Sequence, residues 1–563
     1  MSGNTVTVGV AGRSENGQQP IAFHGASAQL CAAREYVITF EYNLFTWDSY
    51  NADTGNGTGY WDSFSVSITS VPYPQLAILT DPLQFPNGFV QGGTRWGDGV
   101  LERYSGTKTI RAAFNVMSPK YLNLVLDTTT QPTADDLYPS WGTFTIRSVA
   151  AVCGVQEVTF AGDHQFDVTS DDSMTTYSGP HWLDNNLNSR ADDPGDHKYP
   201  TVFAAGSTMK VSAKLALSDV VPLTGNSWMV RGDGPGNLDI PATSATVSGR
   251  FLTITNVAAA NPFSNAIDVH DSFTISWEVS PDGGQTWVKG PRTTNQVYVT
   301  LKDPIIDGNT PHIWHTVVDV GSRSARGQTD ENTALDRVWA KFATLNVQRV
   351  ENPVTLTYYN SYLTVCTRTA ELLQSGDGQC GSWTSFFLDT LKVLGLTMPK
   401  TYLVVVPKAA TNANGFLVKN WNFAGAGQSG DADFPYLNLP AANLIGNNTY
   451  NWRFAEVTDA TGIAGQGNNN PASLFNNHQI ALVNGTYYDA SYGVTYTSLD
   501  DMDNRSIAGY FTFRSNYPVR ESLVNLDLNQ DGTINNTIVP TDVMLVKQNP
   551  AGGDLMIDVA LPY

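Results

Sequence analysis

The sequence predicts a multidomain protein in which two all-β sandwich domains precede an α+β domain. Its 563 residues are enough for three or four domains. Alternating apolar and polar residues, the pattern of half-buried strands, recur as far as about residue 305, and helical periodicity begins beyond that point. We therefore place the domains at residues 1–155, 156–305 and 306–563.

Residues 1–155 have the pattern of a jelly-roll-like sandwich, with short strands and long polar loops. Residues 36–42 and 64–68 alternate in strand fashion, and a loop rich in glycine, asparagine and aspartate lies between them. A domain of this kind would bind glycans or act as a spacer. Four aromatic side chains would either stack on sugars or pack within the domain, and we favour packing: Trp47, Tyr60, Trp61 and Trp96.

The pattern of residues 156–305 predicts a second sandwich, of a jelly-roll or Ig-like kind. Three segments alternate in strand fashion: 211–217, 273–279 and 296–301. The stretch Ser-Pro-Asp-Gly-Gly-Gln-Thr-Trp at 280–287 predicts a tight turn between two strands. It occurs once, whereas a β-propeller would repeat such a motif in every blade, so we expect a sandwich.

The pattern changes to helix and then back to strand in residues 306–563. Apolar residues at helical spacing predict an amphipathic helix: Leu335, Val338, Trp339 and Phe342. Asp330 or Thr333 would cap its N-terminus. A second helix is predicted over about 380–394, with Pro399 beyond its end. Helices followed by strands indicate an α+β domain.

Cys380 lies where a glycine-rich loop meets this second helix. The loop reads Ser-Gly-Asp-Gly over 375–378, and the apolar run of the helix begins at Trp383. Cys380 should therefore sit at a helix N-terminus, where unpaired backbone N–H groups favour a thiolate over a thiol. This context separates Cys380 from an ordinary buried cysteine, which behaves as a small apolar residue.

A histidine and an aspartate follow Cys380 on a predicted hairpin. Apolar residues flank Asn484-Gly485, a strong signal for a two-residue turn. His478 falls on the first strand and Asp489 at the end of the second, so an antiparallel pairing would bring them close. The carboxylate would orient the imidazole, and the imidazole would take the thiol proton of Cys380.

Gly-Gln-Cys opening an apolar helix, then His on one strand and Asp on the next, resembles the transglutaminase-like superfamily, a papain-like fold. The resemblance covers residues 310–520 and is supported by the Asp-Ala-Ser-Tyr-Gly ending at 489–493. It implies a Cys380–His478–Asp489 triad and cysteine-dependent acyl transfer on amide bonds of a protein or peptide substrate. It also implies a place at the oxyanion for Gln374. Whether water or an amine accepts the acyl group stays open.

This fold also serves as a non-catalytic module, so the alternative is a cell-surface adhesin or assembly protein. In that case the same residues would form a scaffold, and the sandwiches would bind glycans or act as spacers. No organic cofactor is implied by either function.

A calcium loop is predicted near the end of the chain. Asp527, Asn529, Asp531 and the Thr533 carbonyl would supply oxygen ligands on a turn made by Gly532. Ile538 stands where an EF-hand places its bidentate carboxylate, so the alternative is a hydrated turn. The acidic stretch 192–196 is predicted to be a solvated loop.

Composition limits the location and the partners. The net charge of −20 argues against nucleic acid, because no basic surface offsets phosphate repulsion. The sequence has no apolar run long enough for a membrane span and no signal peptide at Met1. We nevertheless expect a secreted or surface protein. Cys31 and Cys153 would form a disulfide or remain buried thiols, and Cys366 is assigned a structural role.

Overall fold

The computed structural model describes seventeen stretches of the chain: 5–9, 23–46, 63–72, 83–84, 102–127, 141–218, 227–360, 366–409, 415–418, 423–424, 450–454, 456–457, 463–469, 471, 474–513, 542–547 and 553–563. Within them the protein is mostly β-sheet, arranged as several sheets, with helices concentrated after residue 313. This agrees with the predicted multidomain, β-rich class. No helix in these stretches is both long and apolar enough to cross a membrane.

The first region contains one six-stranded sheet in the order β1-β6-β2-β5-β3-β4. Its strands are β1 (Thr5–Gly9), β2 (Phe23–Thr46), β3 (Ser63–Thr69), β4 (Leu83–Gln84), β5 (Glu102–Asp127) and β6 (Trp141–Ala150). The predicted strands 36–42 and 64–68 lie within β2 and β3. Strands β2 and β5 are 24 and 26 residues long and pair antiparallel over most of their length. The jelly-roll arrangement stays a prediction.

Two six-stranded sheets form the second region. Its strands are β7 (Val152–Ala161), β8 (Gln165–Asp167), β9 (Trp182–Leu183), β10 (His197–Lys198), β11 (Thr201–Ala204), β12 (Lys210–Leu217), β13 (Met229–Asp233), β14 (Ile240–Ser244), β15 (Thr246–Ser248), β16 (Phe251–Ala258), β17 (Asp268–Ser280) and β18 (Val288–Thr300). The orders are β10-β9-β7-β12-β16-β15 and β14-β13-β17-β18-β11-β8. Apolar residues from both sheets share one core, so the predicted two-sheet packing is present. The turn predicted at 280–287 joins β17 to β18.

A disulfide links the first two regions. Cys31 of β2 and Cys153 of β7 are bonded, with their Cα atoms 5.5 Å apart. The sequence alone does not determine whether the two cysteines are bonded, because the bond depends on how β2 and β7 are placed relative to each other. Next to the disulfide, the Glu35 carboxylate accepts hydrogen bonds from the Arg111 guanidinium and from the backbone N–H of Lys289.

Five α-helices in the described stretches follow the sandwich: α1 (His315–Ser324), α2 (Glu331–Phe342), α3 (Thr369–Ser375), α4 (Cys380–Val393) and α5 (Leu499–Ser506). A short parallel pair, β19 (Thr357–Tyr358) and β20 (Asp377–Gly378), lies among them. The predicted helix over Leu335–Phe342 is α2, and Asp330 caps it by accepting from the Thr333 N–H. Every residue of α4 is buried, so this helix is the centre of the region's core.

The remaining strands form two five-stranded sheets and one short pair. They are β21 (Lys400–Pro407), β22 (Gly415–Val418), β23 (Phe423–Ala424), β24 (Tyr450–Phe454), β25 (Glu456–Val457), β26 (Leu474–Phe475), β27 (His478–Val483), β28 (Thr486–Asp489), β29 (Val494–Tyr496), β30 (Ile507–Phe513), β31 (Asp542–Lys547) and β32 (Leu555–Pro562). The sheet β29-β28-β27-β21-β32 packs against α4. The other order is β24-β31-β30-β22-β26.

The helices and the second sandwich share one continuous core. Val202 and Tyr298 of the sandwich belong to the same buried cluster as Trp314 and Val317 beside and within α1. The boundary predicted near residue 305 therefore crosses a packed interface, and the division into 1–155, 156–305 and 306–563 stays a prediction.

Candidate functional site

Cys380 is the first residue of α4, as the loop-to-helix pattern predicts. Helix α3 is followed by its C-cap residue Gly376, whose φ of 76° is the left-handed conformation that glycine adopts without strain. The chain then turns into α4 after two residues of β20. The residue before Cys380 supplies no side-chain cap, so the backbone N–H groups of the first turn keep their donor capacity toward this position. Cys380 itself is only 3% exposed.

The hairpin brings His478 and Asp489 into direct contact. Asn484 and Gly485 both adopt positive φ, at 47° and 84°, which fits the two-residue turn that the sequence predicts. Strands β27 and β28 pair antiparallel on either side of the turn. The Nε2 atom of His478 lies 2.9 Å from Oδ2 of Asp489, and both side chains are almost completely buried.

Asp489 is held by more than the histidine. Its Oδ1 atom accepts hydrogen bonds from the backbone N–H groups of Ser491 and Tyr492, at 3.1 and 3.3 Å. The carboxylate therefore has a fixed orientation, and its Oδ2 atom is left to accept from Nε2–H of His478. This contact sets the tautomer of the neutral ring, with the proton on Nε2 and the lone pair on Nδ1.

Asp489 contacts only one nitrogen of the His478 ring and leaves Nδ1 unengaged. Among the described residues, Nδ1 is buried and makes no hydrogen bond of good geometry. Burial lowers the pKa of His478, but the charge and hydrogen bond of Asp489 and a contribution from Cys380 outweigh it and raise the pKa to about 10. A ring with this pKa is protonated at neutral pH.

Gln479 is a neighbour of Cys380 that the sequence did not predict. Its side-chain oxygen Oε1 contacts the sulfur of Cys380. The amide nitrogen Nε2 donates to Oδ1 of Asn477 at 2.6 Å, and the backbone carbonyl of Gln479 accepts from the Thr384 hydroxyl at 3.0 Å. Side chains alternate between the two faces of a strand, so a site built around His478 does not predict a role for Gln479, the next residue.

Tyr402 of β21 also lies at the start of α4. A Cβ atom added to Gly381 would lie 2.9 Å from the Tyr402 hydroxyl and 3.3 Å from the Thr367 carbonyl, so a larger residue here would require the Tyr402 side chain to shift. Burial, and to a lesser extent Cys380, raise the pKa of Tyr402 well above its ordinary value, so the phenol stays protonated. Its O–H is therefore available as a donor beside the thiol.

Aromatic rings surround the histidine. The ring centroids of Phe475 and Tyr492 lie 5.3 and 5.8 Å from that of His478. Tyr358 is fully buried and packs against Tyr492 at 5.3 Å. These rings exclude water, which strengthens the attraction between the imidazolium and Asp489.

The structure separates Gln374 from the other predicted site residues. Gln374 lies in the last turn of α3 with its side chain exposed. No hydrogen bond in the described part of the chain joins it to Cys380, His478 or Asp489. The glutamine whose amide meets the sulfur is Gln479 instead.

The remaining predicted ligands lie mostly outside the described residues. The calcium candidates Asp527, Asn529, Asp531 and Thr533 fall there, as do the aromatic candidates for glycan stacking: Trp47, Tyr60, Trp61 and Trp96. In the stretch 192–196, one carboxylate oxygen from each of three aspartates lies within 4.8 Å of the others: Asp192, Asp193 and Asp196.

No family model matches the chain, and no curated protein matches it. Among solved structures, a GH2 beta-galacturonidase from Eisenbergiella tayi bound to galacturonate aligns with 49% of this chain and 35% of its own, at 8% identity and a TM-score of 0.13. Bifidobacterium dentium beta-glucuronidase, complexed with coumarin-3-O-glucuronide, aligns with 54% of this chain and 50% of its own, at 7% identity and a TM-score of 0.15. This chain thus spans half or less of these proteins. Similarity this low carries no argument about fold or function.

Proposed function

We propose that this protein carries out cysteine-dependent acyl transfer on amide bonds, with Cys380 as nucleophile, His478 as acid and base, and Asp489 as the orienting carboxylate. One observation supports this most strongly. A fully buried imidazole is fixed by Asp489 through Nε2, and Cys380, at a helix N-terminus, is among the groups that raise its pKa. The arrangement fits a transglutaminase-like domain, which we propose for residues 310–520.

The reaction begins from the charged pair, in which the thiol proton of Cys380 already resides on Nδ1 of His478, because the ring is protonated at neutral pH. The sulfur attacks the amide carbon, and the carbonyl oxygen becomes an oxyanion. His478 then returns the proton to the departing amine, which leaves a thioester on Cys380. Water or a second amine resolves this thioester and restores the thiol.

The first turn of α4 and Tyr402 supply the donors for the oxyanion. The backbone N–H of Cys380 points to the helix N-terminus, where the helix dipole favours negative charge. The phenolic O–H of Tyr402 lies beside the same turn, next to Gly381. Each well-placed donor at such a site lowers the barrier by about 3–4 kcal/mol.

A second candidate function follows from the burial of the nucleophile. Cys380 is 3% exposed, and the amide of Gln479 covers its sulfur, so a substrate must displace Gln479. This observation favours the alternative of a non-catalytic adhesin or assembly protein in which the fold is a scaffold. The substrate class that the first function implies is a protein or peptide, and glycan binding at the sandwiches is compatible with both.

Acylation by an activated ester tests the catalytic function without a known substrate. In Gln479→Ala, which uncovers the sulfur, p-nitrophenyl acetate should give a burst of nitrophenol, an acetyl group on Cys380 and then slow turnover. Adding Cys380→Ala should abolish the burst, and Cys366→Ala should leave it unchanged. If no acetyl group reaches Cys380 in a folded Gln479→Ala protein, the catalytic proposal fails and the scaffold remains.

A further inference from the structure

The contact between Cys380 and Gln479 joins a nucleophile to an acyl donor of the same chain. We propose that these two side chains form an internal thioester, with Gln479 as the acyl donor. This inference rests on the proposed function, because it needs a thiol activated by His478. It adds a defined acyl group and a defined product to the general chemistry.

The amide carbon of Gln479 lies near the sulfur of Cys380. Its oxygen Oε1 touches the sulfur of Cys380. A carbonyl bond is about 1.2 Å long, so the amide carbon Cδ is at most that much farther from the sulfur than Oε1 is. Reacting atoms in productive arrangements are about 3–3.5 Å apart, which this contact approaches.

Both ends of Gln479 are fixed. The amide nitrogen is held by Asn477, and the backbone carbonyl is held by the Thr384 hydroxyl of α4, the helix that begins with Cys380. The amide therefore presents its oxygen and carbon to the sulfur and its nitrogen away from it. Because both groups belong to one molecule and are held in place, the reaction is intramolecular. The effective concentration of the amide at the sulfur is therefore high.

Because Cys380 is buried, the amide of Gln479 reaches the thiol more readily than an acyl group from outside does. Cys380 is almost inaccessible, and the contacting amide belongs to the adjacent strand β27. A peptide from outside must displace this amide, whereas the amide itself needs no displacement. The same burial keeps water from the product, because Phe475 and Tyr492 pack around His478.

The step balances without an added reagent. With the thiol proton already on His478, the sulfur–carbon bond forms and the bond between Cδ and the amide nitrogen breaks. The nitrogen leaves as ammonia and takes the proton from His478. Neither oxidation nor reduction takes place.

The product would capture primary amines. An amine that attacks Cδ forms an amide bond, releases the sulfur as a thiol and gives up its proton. A lysine side chain on a partner protein is the acceptor with this chemistry. The protein would then become covalently attached to its partner through Gln479, in a single turnover.

Mass measurement of the full-length protein tests the proposal. The wild type should weigh about 17 Da less than its sequence with the Cys31–Cys153 disulfide formed, because ammonia is lost when the acyl bond forms. Digestion should map this loss to a crosslinked pair of peptides containing Cys380 and Gln479. Methylamine should add to Gln479 and free one thiol. Gln479→Glu and Cys380→Ala should keep their full masses, and melting curves should show that both variants are folded.

The outcomes separate this inference from the proposed function. An intact Gln479 amide with a free Cys380 thiol in the wild type overturns the thioester. If Gln479→Ala is then acetylated at Cys380, the general acyl-transfer function stands alone. If Cys380 of Gln479→Ala also fails to be acetylated, both fail. A mass loss that persists in Cys380→Ala would come from another residue and would likewise overturn the thioester.

Discussion

Two histidines in the described part of the chain are buried beside a carboxylate, and they differ in the partners of the second ring nitrogen. His478 meets Asp489 at 2.9 Å, and His315 meets Glu351 at the same distance. The Nε2 atom of His315 also lies 3.2 Å from Oε1 of Gln296 and 3.1 Å from the Tyr298 hydroxyl. The Nδ1 atom of His478, by contrast, is buried without a hydrogen-bond partner among the described residues, and Cys380 contributes to the raised pKa of the ring.

The difference distinguishes a structural pair from a reactive one. Tyr298 donates onward to Asp319, which is paired with Arg323, so the ring of His315 is part of a network between the second sandwich and α1. A ring with both nitrogens engaged by such partners holds elements together. A ring with one nitrogen held and the other beside a nucleophile can move a proton. A buried histidine–carboxylate contact alone therefore does not identify a catalytic residue.

The largest expected effect is on acylation. In the Gln479→Ala background, His478→Ala should lower the rate of acetylation of Cys380 by about 10²- to 10⁴-fold, because the general base and acid is lost. His315→Ala should leave that rate unchanged. A similar loss in both variants would show that folding, and not proton transfer, explains the effect of His478.

A smaller effect is expected when the orienting carboxylate is neutralised. Asp489→Asn in the same background should lower acetylation by about 10²-fold, since the ring loses its charge partner while the thiol and imidazole remain. The pKa of His478 should fall, because Asp489 is the main cause that raises it. Histidine titration by NMR would measure that fall, and an unchanged pKa would contradict the assigned role of Asp489.

Stability should depend on pH through the same pair. The pKa of His478 is about 10 in the folded protein and about 6.5 in an unfolded chain. The folded state therefore keeps a proton that the unfolded state loses, so this stabilisation is complete below about pH 6.5 and disappears as the pH rises toward 10. Melting temperatures over this window should fall in the wild type and fall less in Asp489→Asn. Equal slopes would contradict the raised pKa.

The structural pair should affect stability only. His315→Ala should cost about 1–3 kcal/mol, because Glu351 and Tyr298 lose a buried partner. Denaturant unfolding would measure the loss. The matched variant Arg326→Ala removes an exposed ion pair with Asp268 and should cost much less. If the two variants lose equal stability, the hydrogen bonds of His315 do not stabilise the fold more than an exposed ion pair does.

The parts of the site that could be predicted are those set by local sequence. The helix beginning at Cys380 follows from the glycine-rich loop and the apolar periodicity, and the hairpin follows from Asn484-Gly485. Chain order and turn geometry then predict that His478 meets Asp489. These features depend on residues near each other in the chain, so one sequence is enough to find them.

The parts that could not be predicted depend on packing between distant elements. Tyr402 reaches α4 because β21 lies next to β27. Gln479 reaches Cys380 from the beginning of β27. The partners of His315 come from the second sandwich, and the bond between Cys31 and Cys153 depends on how β2 meets β7. No local pattern encodes these contacts. The prediction for Gln374 rests on an analogy of spacing, which says nothing about the side to which a helix directs its side chains.

The most direct test of the central claim is the alkylation rate of Cys380 at pH 7 in Gln479→Ala. With His478 present, iodoacetamide should modify Cys380 faster than the other free cysteine, Cys366, as read by peptide mapping. With His478→Ala added, the rate at Cys380 should fall to that of Cys366 or below. Labelling of Cys380 that is no faster than that of Cys366, or that is unaffected by the loss of His478, would contradict the assignment of this site as a nucleophile with its base.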